Sequence, residues 1–218
     1  MGVVAHNWME LGFGRTSTTT TAQSTPRNLL GFKDGTRNIK AEQTQLMNYV
    51  WVGGESDQPW LRGGSYLIAR KIRMFVENWD RDYLQDQENT IGRAKVTGAP
   101  LSGGTEFTVP DFAARDSSGQ QAIPAYAHIR LASFENNGGT RILRRGYSFT
   151  DGIDPQAGTL LGGLFFIAYM KNPRQFIQIQ RSLAADALNE YIQHTGSAVF
   201  ACPPGLQPGQ HWGVSLFT

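Results

Sequence analysis

Cysteine is almost absent from this sequence, since Cys202 is the only one among 218 residues. A single cysteine excludes a disulfide within the chain, and it also excludes a metal cluster held by several cysteine thiolates. Cysteine usage therefore carries no information about the redox state of the compartment in which the chain works.

Long apolar runs are also absent, since a helix that crosses a bilayer needs about 20 apolar residues. The longest candidate, residues 160–170, is interrupted by Gly162 and Gly163 and is typical of a buried strand. Residues 1–4 lack the charged region and apolar core that begin a secretion signal. We expect no such signal in this chain as given, which leaves a longer precursor open.

Runs of basic residues are missing as well. The 20 Lys and Arg and 18 Asp and Glu leave a net charge of +2, which is too small to indicate nucleic-acid binding. With 40% hydrophobic and 17% charged residues, the composition is that of a globular protein. The length suits one large domain or two small ones, and no internal repeat divides it.

The first part of the chain is predicted to connect rather than to form a core. We predict a strand over residues 3–13, and a surface loop or extended arm over the Thr-rich residues 16–25, for which a disordered linker is the alternative. A short helix over 41–49 and a loop over 51–64 follow. Residues 1–64 are therefore interpreted as a connecting segment, and residues 65–218 as a domain.

The second part alternates strands and helices in a recognisable order. The predicted elements are a strand over 65–76, a helix over 77–93, an irregular insertion over 95–125, a short extended run over 126–132, strands over 141–149 and 160–170, a helix over 173–193 and a strand over 198–202. This is the split β-α-β order of an α+β ferredoxin-like sandwich, in which helices cover one face of an antiparallel sheet.

One stretch, residues 28–38, combines an apolar run with a Lys-Asp-Gly turn and a polar, basic tail. The Asp34–Gly35 pair suits a tight turn, because both residues tolerate the backbone angles that such a turn requires. An ordinary turn is the simplest interpretation of this stretch taken alone.

His128 is the histidine best placed to reach a cavity, because it follows the long insertion and begins the short extended run. A lone histidine is more often structural than a metal ligand. No second His or Cys and no carboxylate pair lies near it at the spacing of a zinc site. A metal bound by His128 would therefore take most of its ligands from a non-protein group, as haem iron does.

Arg144 and Arg145 are adjacent in a predicted strand, so at most one of them faces a site on the sheet. A solvated ion pair is the simple alternative. If an arginine and Asp34 share a dry cavity, the guanidinium stabilises the ionised carboxylate. Facing a metal, such a pair can cleave peroxide, because the carboxylate moves a proton and the arginine stabilises the charge on the leaving oxygen.

Several stretches in order resemble dye-decolorizing (DyP-type) haem peroxidases, including their deferrochelatase branch. Residues 31–36 (GFKDGT) resemble the GxxDG motif, residues 127–132 (AHIRLA) the proximal-histidine segment, and residues 143–149 (LRRGYSF) the distal-arginine strand. Residues 163–169 (GLFFIAY) resemble the strand that follows, and residues 90–93 with 98–101 resemble a family loop. The resemblance extends over residues 11–204 approximately.

The resemblance implies a role for each matching residue around haem b (iron protoporphyrin IX). His128 would be the axial iron ligand, Asp34 the distal acid–base residue, and Arg144 the distal arginine, which would also contact a haem propionate. The other implied haem contacts are Gly35, Thr36, Arg37, Ser133, Phe134, Glu135, Leu164 and Phe166. A carboxylate of the late helix, Glu190 or Asp186, would orient the imidazole and raise its basicity.

The resemblance implies an oxidoreductase that reduces hydrogen peroxide and oxidises dyes, phenols or similar one-electron donors. A haem-binding protein that releases iron from haem is the alternative, and a non-catalytic fragment is a third. Only the C-terminal of the family's two domains is matched, which suggests a truncated, processed or split form. Self-association, or pairing with the missing N-terminal half, is then expected, and the family indicates a periplasmic or secreted location.

Overall fold

A computed structural model describes residues 11–42, 44–211 and 213–216, and within them six strands form one antiparallel sheet. The strands are β1 (Phe13–Arg15), β2 (Ser65–Met74), β3 (Leu143–Arg144), β4 (Tyr147–Ile153), β5 (Leu160–Met170) and β6 (Ile192–Cys202). The helices are α1 (Gln45–Tyr49), α2 (Val76–Trp79), α3 (Leu84–Ile91), α4 (His128–Leu131) and α5 (Pro173–Ser182). Short 3-10 turns include Glu135–Asn137, Leu183–Ala185 and Ala187–Glu190.

The sheet has the strand order β1-β4-β5-β2-β6, and β3 also pairs with β5. The four strands β4, β5, β2 and β6 stand in the order expected for a split β-α-β unit, because the first strand of the unit lies between the third and the fourth. The predicted ferredoxin-like α+β class is therefore confirmed. None of the helices in the described ranges is both long and apolar enough to cross a membrane.

Two predicted strands are close to the observed ones. The apolar run over 160–170 forms β5 with the predicted bounds, and the strand predicted over 65–76 ends at Met74. The strand predicted over 141–149 is interrupted after Arg144, but β3 and β4 keep the same register against β5. The last strand begins at Ile192, six residues earlier than predicted.

The predicted helices are too long. The helix predicted over 77–93 is broken after Trp79, where the side-chain amide of Gln87 donates to the carbonyl oxygens of Trp79 and Asp82 and holds the turn. The helix predicted over 173–193 ends at Ser182 and is followed by two 3-10 turns, the second of which is capped by the Asp186 side chain, which accepts from Leu188 N. The helix predicted over 41–49 is limited to α1.

Two predictions near the site are wrong. The residues from His128 onward form helix α4 rather than an extended run. The Thr-rich segment 16–25 has no helix or strand, as predicted, but Thr16, Ser17 and Thr18 are buried rather than on the surface. Of the strand predicted over 3–13, residues 3–10 lie outside the described residues, and β1 begins at Phe13.

The main core joins the 28–38 segment to one end of the sheet. Trp79 is fully buried and meets Phe32 and Tyr191 edge to face, with ring centroids 5.8 and 4.8 Å apart. Its indole Nε1 donates to Leu30 O over 3.0 Å. Edge-to-face aromatic pairs are favourable beyond their buried area, so this core fixes the segment that carries Asp34 against β2 and α3.

Candidate active site

A cavity of about 280 Å³ lies between the sheet, the 28–38 segment, α4 and α5. Most of the sequence-predicted site residues line it, namely Asp34, Gly35, Thr36, Arg37, His128, Ser133, Phe134, Arg144, Leu164 and Phe166. These residues are up to 132 positions apart in the chain, so only the fold brings them together.

Asp34 and Arg144 form an ion pair on one side of the cavity, through Oδ1 and Nη1. The loop that carries Asp34 is held by a backbone bond from Asp34 N to Pro26 O of 2.9 Å. Gly35 has a φ of +90°, and a Cβ there would lie 2.9 Å from Ser17 Cα and from Thr18 N. A side chain is therefore excluded at Gly35 on both counts, which explains the glycine that follows Asp34.

The loop that carries Asp34, called the distal loop from here on, is joined to the strand of Arg144 by Asn38, a buried residue that sequence reasoning missed. Its Nδ2 donates to Arg144 O over 2.8 Å, and its Oδ1 accepts from Arg144 N over 2.9 Å. Asn38 thus satisfies both backbone groups of Arg144 as a neighbouring strand would. The sequence feature that could have identified Asn38 was its position four residues after Asp34, in the polar tail of the 28–38 stretch.

Lys40 also holds the loop that carries Asp34, by hydrogen bonds to backbone oxygens. Its Nζ donates to Gly35 O over 3.2 Å and to Thr18 O over 3.1 Å. Burial lowers the pKa of Lys40, and the nearby Arg144 lowers that pKa further. The buried Thr18 therefore has a structural role as the partner of Lys40 and Asn38.

His128 lies on another wall of the cavity, at the first residue of α4. Its Nδ1 is 2.6 Å from Asp186 Oδ2, and Asp186 is buried. Because a carboxylate accepts the Nδ1 proton, the Nε2 lone pair is left for a ligand. Of the two carboxylates proposed from sequence, the structure places Asp186 on His128, whereas Glu190 is exposed.

The rim beside β3 is basic. Arg37 forms an ion pair with Glu135 at 2.6 Å, and its guanidinium lies 4.6 Å from the centre of the Phe134 ring. Glu135, predicted to contact a cofactor, does not line the cavity but binds Arg37 instead. Burial opposes ionisation of Glu135, but the hydrogen bond from Arg37 leaves its pKa below the usual value. Arg141, missed from sequence, lines the same rim and lies 4.9 Å from the Phe134 ring.

The walls of the cavity are apolar. Leu164 and Phe166 were predicted on β5, and the even-numbered residues of β2 add Ile72 and Met74 beside them. Because side chains alternate between the two faces of a strand, the sequence of β2 was sufficient to predict which of its residues share this face. Further apolar lining, not identified from sequence, comes from Ile91, Ile129, Ile142, Phe176, Ile179, Leu183, Leu188 and Ile192.

The insertion over 95–125 has no helix or strand, as predicted, and it reaches the distal loop through Glu106. This carboxylate forms an ion pair with Lys33 and accepts from Thr36 Oγ1 over 3.1 Å. Burial opposes ionisation of Glu106, but hydrogen bonds from Lys33, Thr25 and Thr36 leave its pKa lowered. The insertion therefore supports both neighbours of the Asp34–Gly35 turn.

Protein side chains alone do not form a metal centre in the described part of the chain, where no group of three or more His, Cys, Asp or Glu residues could hold a metal ion. The donor set is one imidazole, with an acid–arginine pair on another wall and apolar residues between. This set fits a flat, largely apolar group that brings its own metal and carries acidic substituents for the basic rim.

Comparisons with known proteins show the family to which the chain belongs. The family profile described as "Dyp-type peroxidase, C-terminal" matches residues 25–207. A dye-decolorizing peroxidase of Thermobifida fusca is 42% identical over 97% of this chain and 50% of its own length. A deferrochelatase of Yersinia pestis is 43% identical over 87% of this chain and 44% of its own. The chain therefore spans about half the length of these relatives.

Solved structures show the same similarity. Ferric DtpA from Streptomyces lividans has a TM-score of 0.83 and 39% identity, covering 92% of this chain and 55% of that one. A DyP-type peroxidase from Streptomyces coelicolor has a TM-score of 0.84 and 39% identity, with the same coverage.

Proposed function

The chain belongs to the family of Dyp-type peroxidases, whose C-terminal part it matches, and we propose that it holds haem b and acts as a haem peroxidase. In this proposal it reduces hydrogen peroxide and oxidises dyes, phenols or similar one-electron donors. The observation that carries the proposal is the cavity that combines a carboxylate-oriented imidazole with an aspartate–arginine pair.

His128 would bind the iron through Nε2, since Nδ1 is engaged by Asp186. The hydrogen bond to a carboxylate raises the basicity of the imidazole and holds its orientation. Arg37 and Arg141 would meet the haem carboxylates at the rim, and Leu164 and Phe166 would cover one porphyrin face. Gly35, Thr36, Ser133 and Phe134 would line the haem edges.

Bound haem would supply the two electrons that reduce peroxide, and two one-electron donors would then restore them. Asp34 would take a proton from peroxide and return it to the departing oxygen, which then leaves as water. Arg144 would stabilise the negative charge that develops on that oxygen, and its ion pair with Asp34 holds the carboxylate in position. Asn38 would keep both groups in register through the backbone of Arg144.

The test is a haem titration of the purified chain, followed by oxidation of 2,6-dimethoxyphenol with peroxide. We expect a Soret band in the wild type, its loss in His128→Ala, and its retention in Asp34→Asn and Arg144→Leu with a fall in turnover of at least about 100-fold. An unchanged Soret band in His128→Ala would refute the assignment of His128 as the axial iron ligand. Full turnover in Asp34→Asn would refute the acid–base role.

Release of iron from haem is the second candidate, and the similarity to a protein named deferrochelatase favours it. The two functions differ in their products. Peroxidase turnover leaves the porphyrin metallated, whereas iron release yields fluorescent metal-free porphyrin and iron that a chelator captures. Fluorescence of the reaction mixture therefore separates them.

We also propose that the chain self-associates or pairs with an N-terminal domain of the same family. Apolar side chains at the sheet edge support this, because Val199 and Phe200 on β6 are 61% and 50% exposed. Exposed apolar residues on an edge strand favour association. Sedimentation of the haem-loaded chain measures its assembly state.

A further inference from the structure

Arg70 lines the cavity from β2, and it is not one of the residues that the proposed peroxide chemistry uses. It pairs with Phe166 on β5 and with Ser197 on β6. Its Nε donates to Ser197 Oγ over 3.0 Å and its Nη1 donates to Gln180 Oε1 over 2.6 Å. Arg70 therefore spans from the sheet to α5 and closes one end of the cavity.

The partners of Arg70 are all neutral. No carboxylate among the described residues forms an ion pair with it, and burial lowers its pKa without any compensation from an acid. A guanidinium has five N–H groups, of which Ser197 and Gln180 take two. A half-buried cation with free donors and no counter-charge is suited to an external anion, preferably a planar carboxylate.

His194 on β6 lines the same end of the cavity. Burial lowers its pKa, and the nearby Arg70 lowers that pKa further. His194 is an exposed residue, and its imidazole has no hydrogen-bond partner in the part of the chain that the structure describes. It therefore offers a second polar group beside the guanidinium.

An aromatic surface lies next to these polar groups. The Arg70 guanidinium is 5.5 Å from the centre of the Phe176 ring, and the Phe176 and Phe166 rings are 6.1 Å apart. Both rings line the cavity, and Phe166 is the one assigned above to a porphyrin face. A ligand whose carboxylate meets Arg70 would therefore rest its apolar part on Phe176.

The strand order of the sheet separates Arg70 and His194 from the Asp34–Arg144 ion pair. Arg144 is on β3, and β5, β2 and β6 follow in that order. Neighbouring strands are about 4.8 Å apart, so the strands of Arg70 and His194 are about 10 and 14 Å from β3. A molecule bound there would lie beside the reaction site rather than in it.

We propose that Arg70 and His194, with the Phe176 ring beside them, form a binding site for the carboxylate of an aromatic reducing substrate. Its role as an electron-donor site rests on the proposed peroxidase function. A haem propionate is the other source of a carboxylate, and the experiment separates the two.

The test measures binding of vanillate and of guaiacol, which has the same ring without the carboxylate, to the haem-loaded and the haem-free chain. Calorimetry without peroxide gives affinities that do not depend on turnover. The variants are Arg70→Gln, Arg70→Lys and the control Arg73→Gln, which removes the same charge from the opposite face of β2. A haem titration and a melting temperature accompany each variant.

We expect Arg70→Gln to weaken vanillate binding at least about tenfold, as loss of a charged hydrogen bond does, without changing guaiacol binding. The vanillate affinity of Arg70→Lys should lie between those of the wild type and Arg70→Gln. The vanillate affinity of Arg73→Gln should match that of the wild type. Equal vanillate affinity in Arg70→Gln, or no vanillate binding by the wild type, overturns the proposal. So does a loss of haem affinity in Arg70→Gln with vanillate affinity retained, because Arg70 would then serve a propionate. If the expected binding is found without peroxidase activity, the anion site stands and the proposed function fails.

Discussion

At the scale of single residues, the orientation of His128 depends on Asp186, whose carboxylate makes two hydrogen bonds. Asp186 Oδ2 holds Nδ1 of His128, while Asp186 Oδ1 accepts from Leu188 N over 2.9 Å and caps the turn over Ala187–Glu190. The cap fixes the side-chain angle of Asp186, so the imidazole is oriented by backbone structure as well as by charge.

We predict that Asp186→Asn weakens the electronic support of the iron ligand. An asparagine that keeps its oxygen on the cap turns its NH2 group towards Nδ1, so the Nδ1 proton loses both its acceptor and the negative charge. The haem-loaded variant should react with peroxide at least about tenfold more slowly and show a changed charge-transfer absorption, since loss of such a partner typically costs 10–100-fold.

Glu190→Gln is the matched control, because it makes the same chemical change on the same turn at an exposed position. It should retain the spectrum and the rate of the wild type. A wild-type spectrum in Asp186→Asn would show that the charge of Asp186 does not reach the iron ligand.

At the scale of elements, the site is assembled from segments that have little regular structure of their own. The distal loop is held by Thr18 and Lys40 on one side and by Glu106 of the insertion on the other. These contacts are polar and partly buried, so each is costly to leave unpaired. The long insertion therefore acts as structural support for the acid–base loop.

We predict that Glu106 makes stability depend on pH in the acid range. Its pKa is lowered from 4.5 in the folded chain, so its stabilisation is complete above about pH 4.5 and is lost as the pH falls through the folded value. Glu106→Gln should be destabilised by about 1 kcal/mol at pH 7 and should lose less stability on acidification.

Urea unfolding between pH 3 and pH 7 measures this difference. Glu190→Gln, a change at an exposed glutamate, should follow the wild-type curve. Parallel curves for the wild type and Glu106→Gln would mean that the Lys33–Glu106 pair contributes nothing to stability.

At the scale of the whole molecule, the cavity is surrounded by elements from most of the chain. The 28–38 segment, β2, α4, β5, α5 and β6 all contribute lining residues. A ligand bound in the cavity contacts several of these elements at once, and it binds the folded chain only. Haem binding should therefore stabilise the fold as a unit.

We predict that haem raises the melting temperature of the wild-type chain by about 5–10 °C when the free haem concentration is 100 times the dissociation constant. This follows from about 2.7 kcal/mol of linkage and about 2–4 °C per kcal/mol for a chain of this size. His128→Ala should show a much smaller rise. An equal rise in both proteins would place haem outside this cavity.

The sequence alone was sufficient for the features that depend on local pattern. The apolar run over 160–170 placed β5 with its observed bounds, and the order of strands and helices indicated the ferredoxin-like class. The motifs around Asp34, His128 and Arg144 identified the family through resemblance, and the structure brings these residues to one cavity.

Tertiary structure decided what depends on contacts between distant residues. It placed Asp186 rather than Glu190 on His128, directed Glu135 to Arg37 instead of the cavity, and left Arg70 without an acidic partner among the described residues. Local periodicity does not report such pairings, because partners such as His128 and Asp186 are 58 positions apart and meet only after the sheet and its helices have packed. Their geometry is a product of packing and burial.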